Sequence, residues 1–162
     1  RHGVVLAKSL PAKKYGIRTG ESLFEARRKC PEVLVIPPDF PWYVERSRAM
    51  MEILKKYSPD VIQYSIDEAF LDMTGMEELM GPPLQAAYRL KDQIRDELGF
   101  TVNIGISTNF LLAKMASDFE KPDKVHTLFL DEIREKMWPL PVRELFSVGR
   151  SAEMKLATAM MW

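Results

Sequence analysis

Hydrophobic and polar positions follow two different periods along this chain, and the switches between them mark its elements. Residues 3–7 form a short apolar run suited to a buried strand, and residues 11–15 allow one helical turn before Gly16. Leu23, Phe24 and Ala26 give a short helix that Pro31 stops, and residues 33–36 read as a strand ending at Pro37-Pro38. Between 41 and 57, Tyr43, Ser47, Met50, Leu54 and Tyr57 fall on one helical face, with Ser58-Pro59 as the stop. Ile62, Tyr64 and Ile66, then Phe70 and Leu71, predict a β-hairpin interrupted by Asp67-Glu68. Leu84, Ala87, Tyr88, Lys91, Ile94 and Leu98 recur at helical spacing, and Gly99 ends that helix. Val102, Ile104 and Ile106 alternate as a strand does. Residues 107–109 then offer N-cap chemistry to a helix bearing Leu112, Met115, Ala116 and Phe119, which closes before Lys121-Pro122. Residues 125–130 predict another strand, and the last thirty residues predict helices over 131–138 and on both sides of Ser147-Val148-Gly149. Strands separated by helices, with one hairpin between them, imply an α/β (α+β) fold in which helices cover a mixed sheet.

With 162 residues and 46% hydrophobic content, the chain can bury one core. No apolar run approaches the roughly 20 residues of a membrane span, and no secretory leader pattern is present, so a cytoplasmic protein without membrane contact is expected. Cys30 is the only cysteine, which leaves no internal disulfide, and His2 and His126 are too isolated to suggest a metal cluster. A start at Arg1 and an end at Trp162, just after an apolar helical pattern, predict a piece of a longer protein. Net charge is zero, yet residues 1–30 carry eight Lys and Arg against two Glu, while residues 31–100 carry seven against thirteen acids. A basic segment beside an acidic one could hold phosphates near metal-binding carboxylates, and solvated charge is the plainer alternative.

The strongest local signal is the adjacent pair Asp67-Glu68 inside an apolar hairpin. Buried carboxylates cost several kcal/mol to desolvate, and a divalent cation is the largest compensating charge available. Successive strand residues face opposite sides, so both can serve one site only where the chain turns. For an arbitrary Asp-Glu pair, a solvated hairpin tip is the commoner arrangement. Taken alone, Lys121 at a helix end before proline reads as a partner of the helix dipole.

The run Ser65-Ile66-Asp67-Glu68-Ala69-Phe70-Leu71-Asp72 resembles the acidic palm motif of Y-family translesion DNA polymerases. Further motifs keep that family's order. Residues 12–20, with Glu25-Ala26 and Cys30-Pro31, are similar to its fingers segment; Asn103-Ile104-Gly105-Ile106-Ser107, residues 113–118 and Lys121-Pro122 resemble a palm strand, a helix and a phosphate-binding lysine. Phe146-Ser147-Val148-Gly149 is similar to a thumb helix-hairpin-helix. The resemblance implies a fingers segment at 1–38, a palm at 39–130 and the start of a helical thumb at 131–162. It also implies that Asp67 and Glu68 are catalytic ligands of two magnesium ions, and that Asp72 hydrogen-bonds within the palm. Lys121, Lys13, Ser9 and Leu10 would contact the nucleotide, while Ser65, Val148, Gly149 and Arg150 would contact DNA through largely sequence-independent interactions. Primer–template DNA and deoxynucleoside triphosphates would be the substrates, with a sliding clamp as a partner of a C-terminal region beyond Trp162.

Several positions depart from the family pattern. Lys13 stands where arginine is usual and loses the bidentate fork; Leu10 replaces a tyrosine, Ala7 a threonine, and Ser147 the first glycine of the thumb motif. The family's further metal-binding aspartate and its aromatic that excludes ribonucleotides belong to a strand before Arg1, so residues 1–162 by themselves are expected to be inactive. Two other functions share the acidic hairpin: a palm-type nucleotide cyclase, which usually has two glycines where Ser65-Ile66 stand, and a non-catalytic DNA-binding accessory of the same fold.

Overall fold

The computed structural model describes residues 3–159, which divide into two compact units, 3–39 and 40–159. In the first, α1 (Leu10–Lys14) and α2 (Leu23–Lys29) both begin at serine caps. Ser9 accepts from the Ala12 N–H, and Ser22 and Glu25 form a reciprocal capping box that satisfies otherwise unpaired helix N–H groups. Val5, Ile17 and Ala26 make a small core there. The two strands expected in this unit do not form. Residues 3–7 contribute only a single bridge between Val4 and Ser22, and residues 33–36 form no regular element, with Leu34 81% and Ile36 76% exposed. Apolar side chains favour a strand only where a neighbouring backbone supplies the ladder; residues 20–23 supply one bridge and a few hydrogen bonds to 3–5, and no strand pairs with 33–36 among the described residues.

In the second unit, α3 (Phe40–Leu54) leads to the antiparallel hairpin of β1 (Asp60–Gln63) and β2 (Ala69–Asp72). A short α4 (Glu77–Met80) precedes α5 (Pro83–Leu98), where proline occupies the first helical position and Gly99 closes the helix in the left-handed conformation, φ +76°. Met50, Met51, Ile53, Leu54 and Tyr57, from α3 and the turn after it, pack against Leu90 and Ile94 of α5. Val61 and Leu71 of the hairpin lie against this cluster.

The chain continues through β3 (Ile104–Ile106), α6 (Phe110–Ser117) and β4 (Val125–Thr127), the two strands pairing in parallel. Leu112, Met115, Ala116 and Leu128 form a second core, onto which pack Ile133 and Met137, from α7 (Ile133–Lys136) and the residue after it. The expected helix over 131–138 is a 3₁₀ turn at Leu130–Glu132 followed by α7, and a further 3₁₀ turn at Val142–Glu144 precedes α8 (Arg150–Ala159). Among the described residues the strands therefore make two separate pairs, one antiparallel and one parallel.

One glycine controls the second pair. A Cβ at Gly105 of β3 would lie 1.9 Å from the Ala113 carbonyl oxygen and 2.5 Å from the Ser117 N–H nitrogen, both in the backbone of α6. Backbone cannot swing aside as a side-chain tip can, so Gly105→Ala must push α6 off the sheet. Overpacking of this kind costs about 1–3 kcal/mol and sometimes more. The full-length protein carrying Gly105→Ala is expected to melt well below the wild type, and an unchanged melting temperature would show that α6 does not approach β3 so closely.

Candidate functional site

The hairpin turns at the acidic pair. Gln63 and Ala69 are the last paired residues, and the Glu68 carbonyl accepts from the N–H groups of both Tyr64, at 2.9 Å, and Ser65, at 3.0 Å. Residues 64–68 thus leave the pleat, which frees Asp67 and Glu68 from the opposite-face rule. The Ser65 hydroxyl donates to Asp67 Oδ1 at 2.8 Å and accepts from the Asp67 N–H at 3.3 Å, so this serine orients the first carboxylate. Asp72, at the foot of β2, accepts from the Thr74 N–H at 2.9 Å, and its carbonyl accepts from the Ser58 hydroxyl.

Burial differs from the expectation of an enclosed pair. Asp67 is exposed and Glu68 is half-exposed, because the turn projects from the sheet. No desolvation penalty has to be offset there. Charge ordering distinguishes the site instead. Glu68 Oε1 lies 3.0 Å from Lys114 Nζ, Lys114 Nζ lies 2.7 Å from Asp118 Oδ2, and Asp118 Oδ1 lies 2.6 Å from Lys121 Nζ. Lys114 and Asp118 are four residues apart, the spacing that stacks side chains along a helix. The Asn109 side chain starts α6 by accepting from the Leu112 N–H at 2.9 Å, and burial of Leu112, Met115 and Ala116 leaves Lys114 to reach the hairpin turn.

Burial works against the charge on Lys114, whose side chain is 13% exposed, but hydrogen bonds to Asp118 and Glu68 outweigh it and raise the pKa above the ordinary lysine value. Burial likewise pushes Asp118 upward, and hydrogen bonds from Lys114 and Lys121 reverse this, holding its carboxyl below the usual aspartate range. Lys114 also lies 5.9 Å from the centre of the Phe146 ring. Neither Lys114 nor Asp118 stood out in the sequence as a site residue, although their spacing on a charged helix face was the available signal.

Asp67, Glu68, Lys114 and Lys121 all line an open groove of about 1430 Å³. The same groove is bordered by β2 and β3, each of which has one partner strand among the described residues, and by Leu90 and Ile94 of α5. Two adjacent carboxylates supply hard oxygen donors of the kind magnesium prefers. They make an incomplete set: among the described residues no group of three His, Cys, Asp or Glu is placed to hold an ion. Waters, substrate phosphates or a further carboxylate would have to complete the coordination.

The remaining sequence candidates belong to other elements. Ser9 is the cap of α1, Leu10 its exposed first residue, and Lys13 a basic residue of its last turn, all in the first compact unit. Val148, Gly149 and Arg150 make the entry to α8, where the Val148 N–H donates to the Leu145 carbonyl at 3.0 Å. Ser147, standing where the thumb motif has glycine, adopts φ +66°, a left-handed conformation that glycine reaches more cheaply. No described helix is long and apolar enough to cross a membrane.

Asp118 gives the network a pH signature. A carboxyl held low when folded contributes stability that is complete above the ordinary aspartate pKa and disappears as pH falls through the folded value. Asp118→Asn in the full-length protein is expected to lower the unfolding free energy from urea titration at pH 7 by under about 1 kcal/mol, the pair being part-exposed, with the difference shrinking as pH falls below the ordinary aspartate range. A difference independent of pH would remove Asp118 from the ion-pair chain.

A family model described as the impB/mucB/samB family matches residues 1–118. The chain is 59% identical over 160 residues to DNA polymerase IV of Clostridium acetobutylicum and 48% identical over 158 residues to DNA polymerase IV of Moorella thermoacetica. These alignments cover 96% and 97% of the chain but 39% and 40% of the relatives, so the chain spans about two-fifths of their length. Among solved structures, DinB from Sulfolobus solfataricus superposes with a TM-score of 0.87 at 26% identity, covering 98% of this chain and 47% of that one. An insertion ternary complex of Dbh DNA polymerase gives 0.88 at 26% identity, over 98% of this chain and 46% of that one. The chain whose hairpin carries Asp67 and Glu68 belongs to the impB/mucB/samB family, and its fold matches the fingers and palm region of Y-family DNA polymerases.

Proposed function

We propose that the whole protein is a translesion DNA polymerase, extending primer–template DNA past damaged bases with deoxynucleoside triphosphates in the cytoplasm. Residues 1–38 serve as its fingers segment, 39–130 as its palm and 131–162 as the start of its thumb. The observation that carries this reading is the acidic turn joined, through Lys114 and Asp118, to the exposed cation of Lys121. Carboxylates for a metal and a lysine for phosphate line one groove, which is what phosphoryl transfer requires.

Asp67 and Glu68 would hold divalent cations, with magnesium the proposed metal. When bound, magnesium supplies charge stabilisation at the phosphate oxygens and lowers the pKa of the primer 3′ hydroxyl. Ser65 keeps Asp67 directed, because its hydroxyl fixes one carboxylate oxygen and leaves the other available. Lys114 balances Glu68 before a metal arrives. Lys121, with a side chain 58% exposed, can leave Asp118 for a more highly charged triphosphate at little desolvation cost.

The groove bordered by β2 and β3 suits one more strand, and the family resemblance supplies one, preceding residue 1 and bearing the additional aspartate. Family membership weighs against the nucleotide-cyclase alternative, and the retained Asp67, Glu68 and Lys121 weigh against a non-catalytic accessory. A sliding-clamp contact belongs to the proposal for the whole protein, outside these residues.

Asp67→Asn and Glu68→Gln in the full-length protein are each expected to reduce magnesium-dependent primer extension to background. Because the turn is exposed, Asp67→Asn should change folding stability by no more than about 0.5 kcal/mol. Near-normal extension by either folded variant would take that residue out of the metal site.

A further inference from the structure

Among the described residues, Lys91 is the one charged side chain that is buried, at 5% exposure. It sits on the apolar face of α5 with Ala87 and Ile94, one turn to either side. Its ammonium lies 2.9 Å from Asp123 Oδ1 and 3.0 Å from Asp92 Oδ1. Arg95 completes the cluster, 2.7 Å from Asp92 and 3.8 Å from Asp123. Asp123 is two residues beyond Lys121, in the turn from α6 to β4, and has φ +61°. Its neighbour Lys124 is tied to β3: the Lys124 N–H donates to Asn103 Oδ1 at 3.1 Å, and its carbonyl accepts from the Ile104 N–H at 2.9 Å.

We propose that Lys91 is a positioning residue for Lys121, acting through its clamp on Asp123. The inference rests on the nucleotide-binding reading of Lys121 given above. A buried ion pair is often no more stabilising than an apolar side chain of similar size, so the core alone does not explain a lysine here. What the charge adds is direction. It determines where Asp123 lies and so fixes the turn from which Lys121 projects. The two carboxylates hold the Lys91 pKa above its ordinary value against the burial that would lower it, so the clamp stays charged through neutral pH.

The test is steady-state single-nucleotide incorporation by the full-length protein, with primer–template affinity and melting temperature measured on the same samples. Lys121→Ala should lower nucleotide kcat/KM about tenfold to a hundredfold through loss of a charge-assisted contact. Lys91→Met should lower it about threefold to tenfold, with DNA affinity unchanged, and should add nothing when Lys121 is already alanine. Lys91→Arg should restore most of the loss. Should Lys91→Met not fold, Asp123→Asn removes the charge of the same clamp on its more exposed side and is held to the same non-additivity. A Lys91→Met or Asp123→Asn effect of equal size in both backgrounds, or no effect in either, overturns the positioning role while leaving Lys121 as a phosphate ligand. Unchanged nucleotide kinetics in Lys121→Ala would overturn that reading, and this inference with it.

Discussion

Where α6 crosses β3, only a hydrogen atom fits on the strand at residue 105, and this contact sets the position of the charges downstream. Lys114 projects from the helix that rests there, Asp118 caps its C-terminal end, and Lys121 follows in the turn beyond it. A shift of even an ångström would move all three relative to Glu68. Core packing of Leu112, Met115 and Ala116 gives the helix its rotation, while the missing Cβ gives it its depth. A structural glycine and the electrostatics of the site are thus one device.

The charge chain Glu68–Lys114–Asp118–Lys121 alternates in sign, and its effect on the site is larger than its effect on stability. Isolated part-exposed pairs contribute little to folding. Their arrangement matters for a ligand, since a divalent cation at the hairpin would compete with Lys114 for Glu68, and a phosphate would compete with Asp118 for Lys121. Both exchanges replace one favourable pairing with a stronger one. From the opposite side, Lys91 and Asp123 brace the turn that carries Lys121, so α5 and α6 both determine where that lysine stands.

Much of this was legible in the sequence where the causes are local. The Asn109 cap, the Gly99 stop and the hairpin turning at Asp67-Glu68 each follow from one or two residues and their nearest neighbours. Residues 33–36 have strand composition but no partner backbone in their unit, and a strand is a property of pairs. Lys114 was hidden by its ordinary place in a helix; its meaning lies in reaching Glu68, forty-six positions earlier in the chain. Lys91 was visible as a member of the apolar repeat of its helix, yet its carboxylate partner Asp123 lies beyond the next strand and helix. The apolar residues around Asp67-Glu68 suggest a desolvated pair, but the turn projects from the hairpin and the structure leaves Asp67 exposed.

A divalent cation on the hairpin pair can be observed directly with manganese, which carries unpaired electrons. Full-length protein with primer–template and a non-hydrolysable nucleotide would be titrated with manganese while free ion is followed by electron paramagnetic resonance. Bound manganese is expected in the wild type, with a clear loss of bound ion in Asp67→Asn and in Glu68→Gln. Equal stoichiometry and affinity in all three proteins would show that the pair does not hold the ion.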